Sequence, residues 1–182
     1  MKQIKVKLNS KSIQNAIKEL ENYKASLEAK NKEFVSRLID YGIEIAVRDS
    51  GKYGKYISFN KKVEGGENAV GFLIAEGYPI TVEWIVQGGE VKTAEIDPLL
   101  MAEFGSGQFA EVLFNISGVG RGTFPGQTHA FEDSWSFMRK ESDGTTKWYR
   151  SSGAAPTHPM YHADMEMLDM IESIAREVFG NV

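Results

Sequence analysis

Hydrophobic residues recur every three or four positions along two long segments of this chain, one near its start and one at its end. In the first segment they are Ile13, Ala16, Ile17, Leu20, Tyr23, Leu27, Phe34, Leu38, Tyr41 and Ile45. This spacing predicts one amphipathic helix from about residue 12 to Arg48, which would be about 55 Å long. A compact domain of this size is only about 40 Å across. The helix therefore either kinks near Asn31 or projects beyond its own domain, where another subunit must bury its apolar face.

Between the two helical segments the hydrophobic period changes to two, which is typical of strands with one buried face. Gly88-Gly89 predicts a tight turn between two antiparallel strands, and Ser142–Thr145 predicts a second hairpin. Leu99–Phe104 predicts a short turn of helix that Gly105 ends. The predicted strands are Ile4–Leu8, Lys55–Phe59, Val70–Ile74, Ile80–Val86, Glu90–Ile96, Trp135–Arg139 and Lys147–Arg150.

The order of these elements predicts an α+β fold, in which an antiparallel β-sheet meander is packed by a long N-terminal helix and a C-terminal amphipathic helix. We expect a single domain over residues 1–182, with a glycine-rich loop or arm at about residues 105–130. The run from Gly118 to Gly126 is too rich in glycine to be rigid by itself, so we expect a mobile loop or an arm that a partner orders.

The final helix is predicted to begin near Pro159, because proline suits the first turn of a helix. Its apolar positions form one stripe: Met160, Ala163, Met167, Leu168, Ile171, Ile174, Ala175 and Val178. We expect Ile171 to face the core on this stripe. An Ile171→Asp substitution is then expected to destabilise the fold by about several kcal/mol, because it would bury an unpaired charge.

The composition indicates an ordinary globular protein, with 42% hydrophobic and 25% charged residues. A net charge of −4 argues against a protein whose main task is to grip nucleic-acid phosphates. The absence of cysteine excludes disulfides, thiolate metal ligands and a thiol nucleophile. The first residues predict no secretory signal, and no apolar run approaches a membrane span. We expect a soluble protein made in a cytoplasm.

Candidate chemistry rests mainly on the three histidines, His129, His158 and His162. His158 and His162 have the four-residue spacing of some zinc sites, but Pro159 lies between them, so they need not share a helical face. The glycine-rich run lacks the strand, helix and lysine of phosphate-binding loops, and no serine lies in a nucleophile elbow. We therefore expect no enzyme, no cofactor and no metal. The alternative is a small metal-dependent hydrolase that uses the three histidines with Asp or Glu.

Three motifs and the closing helix together resemble the tail-completion family of tailed bacteriophages, which are neck proteins often called minor capsid or tail components. The motifs are Glu103–Gly107, Gly120–Ala130 and Pro156–Ala163. The likeness covers most of the chain, although the stretch from Gly118 to Trp135 goes beyond the minimal pattern of the family. It is similar to the version in phages of Gram-positive bacteria.

The resemblance implies a structural virion protein, made in the cytoplasm of a bacterial host, that forms an oligomeric ring with six subunits as the expected number. The ring would complete the tail and join it to the head connector. Its partners would be further copies of the chain, the connector or stopper protein and the tail tube protein. DNA would pass through the lumen without sequence-specific binding, and no membrane is involved. A host-protein-binding module is a further alternative.

The resemblance also assigns residues. It places Phe104 just before a turn formed by Gly105 and Gly107, and it implies that Pro159, Met160 and Ala163 position the C-terminal helix on the sheet. We expect an interface with neighbouring subunits or partners that combines this turn with the glycine-rich arm. The arm residues expected there are Arg121, Phe124, Pro125, Gln127 and His129.

Overall fold

A computed structural model describes residues 10–86, 88–110 and 132–180. Their helices are α1 (Ser10–Asp49), α2 (Pro98–Phe104) and α3 (Pro159–Phe179), with a 3₁₀ turn at Gly51–Tyr56. The strands are β1 (Ile57–Glu64), β2 (Val70–Gly77), β3 (Ile80–Ile85), β4 (Val91–Ile96), β5 (Ser106–Gly107), β6 (Trp135–Lys140), β7 (Thr146–Ser151) and β8 (Gly153–Ala154). The predicted α+β class is confirmed. The predicted strand at Ile4–Leu8 lies outside the described residues.

Close contacts group the chain into two compact units. The described part of the first unit consists of residues 10–43, 60–74 and 164–180, and that of the second consists of residues 44–59, 75–86, 88–110 and 132–163. The expected single domain stays a prediction.

In the first unit, α1 packs against strand β2 and against the end of α3. Gly71 of β2 lies so close to α1 that a β-carbon there would be 2.1 Å from Ile39 Cδ1. The rings of Phe34 and Phe179 lie 5.9 Å apart, which joins α1 to α3. Within this unit Phe34, Leu38 and Tyr41 of the apolar stripe on α1 are half-buried, whereas most stripe residues before them are exposed.

Helix α1 continues through Asn31 without a break, so its 40 residues span about 60 Å. The turn between β1 and β2 contacts it there: Asn31 Nδ2 donates a hydrogen bond of 3.0 Å to the Glu67 carbonyl oxygen. The Lys24 ammonium lies 3.4 Å from the Glu67 carboxylate. The apolar residues before Lys24 extend past this turn with about half of their surface exposed, as expected if the helix projects.

In the second unit, four strands form an antiparallel sheet in the order β4-β3-β6-β7. Both predicted hairpins are present, β3–β4 around Gly88-Gly89 and β6–β7 around Asp143-Gly144. The predicted helix α2 is also present, with the Asp97 side chain accepting the backbone N–H groups of Leu99 and Leu100. Local turn and capping chemistry therefore accounts for these elements.

The strands form three separate sheets in the described residues, not one continuous meander, because β1 pairs with β2 and β5 pairs with β8. The link between β2 and β3 explains why these consecutive strands do not pair. The Tyr78 N–H already donates to the Tyr56 carbonyl oxygen at 2.8 Å. Pro79 has no N–H to donate, so this link cannot begin a ladder.

Helix α3 buries a narrower line of residues than its apolar pattern predicted. Ala163, Ile174 and Val178 are buried, and Pro159 is fully buried at the start of the helix. Ile171 is 40% exposed, whereas Ile174 is only 6% exposed. Three residues turn a helix by about 300°, which places Ile171 roughly 60° away from Ile174 around the axis. The expectation that Ile171 enters the core is therefore wrong.

Ile171→Asp is now expected to change the free energy of unfolding by less than about 1 kcal/mol, because an exposed position keeps the new carboxylate in water. Ile174→Val is the matched control and is expected to cost about 1 kcal/mol, because it removes one buried methylene. Urea denaturation followed by circular dichroism measures both. A loss of several kcal/mol for Ile171→Asp would show that this position is buried in solution.

Candidate interaction surfaces

The turn that the sequence placed at an interface is buried inside the second unit. Phe104 is 8% exposed, and Gly105 and Gly107 are buried as well. Strand β5 pairs with β8 so closely that a β-carbon on Gly107 would be 2.6 Å from the Ser152 carbonyl oxygen, and one on Gly153 would be 1.9 Å from that of Ser106. Direct contact of Phe104, Gly105 and Gly107 with another subunit does not fit this burial. Their position indicates a structural role.

Glu103 connects this turn to the start of α3. Its carboxylate accepts the backbone N–H groups of Met160 and Tyr161, each at 3.0 Å. The Ala102 carbonyl oxygen accepts the N–H groups of Thr157 and His158 at 2.8 and 3.1 Å. The unpaired N–H groups that begin every helix are thus satisfied here by α2. We call this arrangement the helix joint: Glu103, β5, β8 and residues 157–161.

The two described histidines make structural hydrogen bonds. His158 Nδ1 lies 2.7 Å from the Glu103 carbonyl oxygen, which can only accept, so this nitrogen carries the proton. His162 Nδ1 lies 2.8 Å from the Asp49 carboxylate. The imidazole centroids are 5.9 Å apart. Within residues 10–86, 88–110 and 132–180, no three His, Asp or Glu side chains are grouped as metal ligands would be. His129 lies outside these residues.

Asp49 has the largest described shift in pKa. The hydrogen bond from the Arg48 side chain, with a smaller contribution from His162, lowers the pKa of Asp49 from 3.8 to about 2, and burial opposes this. A carboxyl group whose pKa is lowered by folding stabilises the protein above its unfolded pKa. That stabilisation is lost as the pH falls through the folded value.

Asp49→Asn is therefore expected to lower the free energy of unfolding by about 1 kcal/mol at pH 5, where the carboxylate of the parent protein is charged. The expected loss is small because the Arg48 side chain is half exposed, and water weakens its interaction with Asp49. The difference from the parent protein should shrink between about pH 4 and pH 2 as the parent carboxyl group protonates. Urea denaturation at pH 5 and pH 2.5 measures this, with the exposed Asp169→Asn as control. An equal difference at both pH values would assign the effect to packing.

The arm residues expected at the interface, Arg121, Phe124, Pro125, Gln127 and His129, all lie outside the described part of the chain. Their role stays a prediction. The described residues instead present other candidate surfaces, which are apolar and exposed.

One exposed apolar surface of the described residues is the first half of α1. We call it the α1 seam: Ile13, Ala16, Ile17, Leu20, Tyr23 and Leu27. Apart from the half-buried Ala16, these residues are between 40% and 55% exposed. Large aliphatic and aromatic side chains at that exposure present several hundred Å² of apolar surface together. Patches of this size on soluble proteins commonly mark interaction sites.

Two further apolar faces belong to the same unit. Along β2, Val70, Phe72 and Ile74 alternate with residues that face α1, and all three are exposed. On α3, Met165, Leu168 and Ile171 recur at three-residue steps and are exposed as well. Of these residues, the sequence pattern placed Leu168 and Ile171 on the apolar stripe of the final helix, which was expected to face the core.

The sheet of the second unit carries an apolar row across all four of its strands. The registers place Val91 opposite Ile85, Ile85 opposite Met138 and Met138 opposite Trp148, so the four side chains share one face. Trp148 at the end of the row is 63% exposed, more than any other large hydrophobic residue in the described ranges. Tryptophan at such a position is characteristic of protein interfaces.

Comparison with protein families, with curated proteins and with solved structures found no match to this chain. None of the helices in the described ranges is both long enough and apolar enough to cross a membrane.

Proposed function

We propose that this chain is a structural protein of the neck of a tailed bacteriophage. In this proposal, copies of the chain form a ring at the top of the tail, complete the tail and join it to the head connector. The DNA passes through the lumen of the ring. The protein acts through surfaces that bind other proteins, and its side chains catalyse no reaction.

The main observation that supports a role in assembly is the amount of exposed apolar surface. The α1 seam, the β2 face and the α3 face are largely exposed in one protomer, and so are Val91 and Trp148 at the two ends of the row across the sheet. Monomeric soluble proteins rarely present several such surfaces, because exposed apolar area favours association. A subunit of a ring uses two different surfaces, since a head-to-tail interface joins unlike faces of neighbouring copies.

The neck role itself rests on the motifs that resemble the tail-completion family. Two of them, Glu103–Gly107 and Pro156–Ala163, meet in the helix joint, where Glu103 holds the start of α3. This contact gives a physical reason for both motifs to occur in one chain. It supports a shared scaffold, on which the exposed surfaces would contact other subunits.

The proposal is tested on particles of the phage that encodes the chain. Deleting its gene is expected to yield DNA-filled heads and separate tails, which sedimentation and electron microscopy distinguish from whole virions. A tagged copy supplied in trans should restore joining and be located at the head–tail junction. Normal virions without the chain would contradict the neck role.

The same exposed surfaces also suit a module that binds a host protein, which is the second candidate function. Such a module would form a stoichiometric complex with one bacterial protein and would be absent from purified virions. Mass spectrometry of purified virions therefore separates the two candidates.

A further inference from the structure

The α1 seam has the spacing of a coiled coil. Ile13, Ala16, Leu20, Tyr23 and Leu27 follow each other by three, four, three and four residues, which is the alternation of heptad positions a and d. The next position of this series is the charged Lys30, and the one after it is Phe34, which packs on Phe179 within the protomer. The seam is thus the part of the heptad pattern that the first unit does not use for its own core.

We propose that the α1 seams of neighbouring copies of this chain pack against each other in parallel and in register. The α1 seam of each copy thus binds the α1 seam of a second copy. The pairing does not depend on the neck role, since a rotation axis along α1 makes neighbouring helices parallel and in register in a dimer or in a ring of any size.

The charges beside the seam favour the parallel orientation. In a parallel coiled coil, a residue at position g faces the residue five positions later on the partner helix. Glu19 occupies position g and then faces Lys24, an opposite charge, at each contact between helices. In an antiparallel pair, position g faces g and e faces e. Glu19 would then meet Glu19 or Ser26, and Lys24 would meet Ile17 or Lys24.

Lys24 is able to make this contact. Its ammonium lies 3.4 Å from Glu67 and 3.9 Å from Glu28 in the protomer, and its side chain is 62% exposed. Such exposed ion pairs are weak, so the side chain can turn toward Glu19 of a neighbouring copy at little cost.

The seam covers only about two heptads, which limits the strength of the pairing. It buries several hundred Å² on each helix, at the lower end of specific interfaces. The pairing is therefore concentration-dependent in solution, and further contacts between copies would strengthen it in an assembly.

Disulfide trapping tests the orientation directly, because the chain contains no cysteine. Ile13→Cys and Leu27→Cys are each expected to form a disulfide-linked dimer alone under mild oxidation, since parallel register brings each position next to itself. The two positions lie about 21 Å apart along the helix, so an antiparallel pair would link them only when the two variants are mixed. Lys18→Cys on the opposite face is the control and should give no dimer.

Charge exchange tests the contact between Glu19 and Lys24. Glu19→Lys and Lys24→Glu are each expected to lower the trapped dimer of Leu27→Cys about twofold to fivefold, and combining the two substitutions should restore it. Circular dichroism confirms that each variant is folded. Linking of Ile13→Cys only to Leu27→Cys, or trapping no greater than that of Lys18→Cys, would overturn the proposal. Either result concerns purified protein and leaves the test on particles intact.

Discussion

Gly153→Ala is expected to destabilise the protein by more than about 4 kcal/mol or to prevent folding altogether. Gly153 has a φ of +101°, which residues with a side chain rarely adopt. A β-carbon there would lie 1.9 Å from the Ser106 carbonyl oxygen and 2.8 Å from Gly107 Cα. Both are backbone atoms of the paired strand, so no side-chain rotation relieves the clash. Strands β5 and β8 would have to separate, and this would disrupt the helix joint, which includes both strands.

Gly144→Ala is the matched control, because Gly144 also has a positive φ, of +83°, but nothing lies within 4 Å of its added β-carbon. It is expected to cost only about 1 kcal/mol, the strain of the left-handed conformation. Urea denaturation and soluble yield measure both variants. Similar losses would show that backbone strain, and not the approach of β5 to β8, makes Gly153 necessary.

The elements that depend on neighbouring residues could be predicted from the sequence. Gly88-Gly89 and Asp143-Gly144 specify their hairpins through residues that tolerate positive φ, and both glycines of the first pair have it. Asp97-Pro98 specifies the start of α2 through a side-chain cap and a residue that needs no N–H partner. The signal in each case lies within four residues of the element, so one sequence is enough.

The arrangement of the sheets could not be predicted in the same way. Pairing of β3 with β6 joins Ile85 to Met138 across more than fifty residues, and no local pattern specifies that partner. The exposure of Ile171 is a similar case. Both Ile171 and Ile174 belong to the apolar stripe, and only the elements that pack on α3 determine which of them is buried.

The candidate site was predicted only in part. The length of α1 led to the alternative of a kink or a projecting apolar helix, and this alternative identified the α1 seam. The family resemblance placed Phe104, Gly105 and Gly107 at a turn that was expected to take part in an interface. In the structure, the two glycines of this turn permit close packing of backbone inside the second unit. Glu103 was noted as part of the first motif, but its role was missed, because it caps a helix 57 residues away and no local pattern specifies that contact.

Substitutions in the helix joint and substitutions in the exposed surfaces are expected to have different effects on folding and association. Residues of the joint are buried or half-buried, so substitutions there should reduce folding and association together. Residues of the α1 seam are exposed, so substitutions there should reduce association and leave the unfolding free energy nearly unchanged. A variant that loses assembly while remaining fully folded therefore identifies a contact surface.

Glu103→Ala is expected to cost about 2–4 kcal/mol, because it leaves the N–H groups of Met160 and Tyr161 without their acceptor at a buried helix start. Glu103 is only 9% exposed, so water has little access to replace the lost hydrogen bonds. The negative charge beside the positive end of the α3 dipole is lost as well. Urea denaturation followed by circular dichroism measures the change.

Two variants separate this capping role from the effects of charge and size. Glu103→Gln keeps one acceptor oxygen but turns an amide N–H₂ toward the second backbone N–H, so it should lose about half as much as Glu103→Ala. Glu177→Ala removes an exposed glutamate of α3 that pairs with Arg37 and should cost less than about 1 kcal/mol. If Glu103→Ala cost no more than Glu177→Ala, its hydrogen bonds to α3 would contribute little, and the contact between the two motifs would not explain why both occur in this chain.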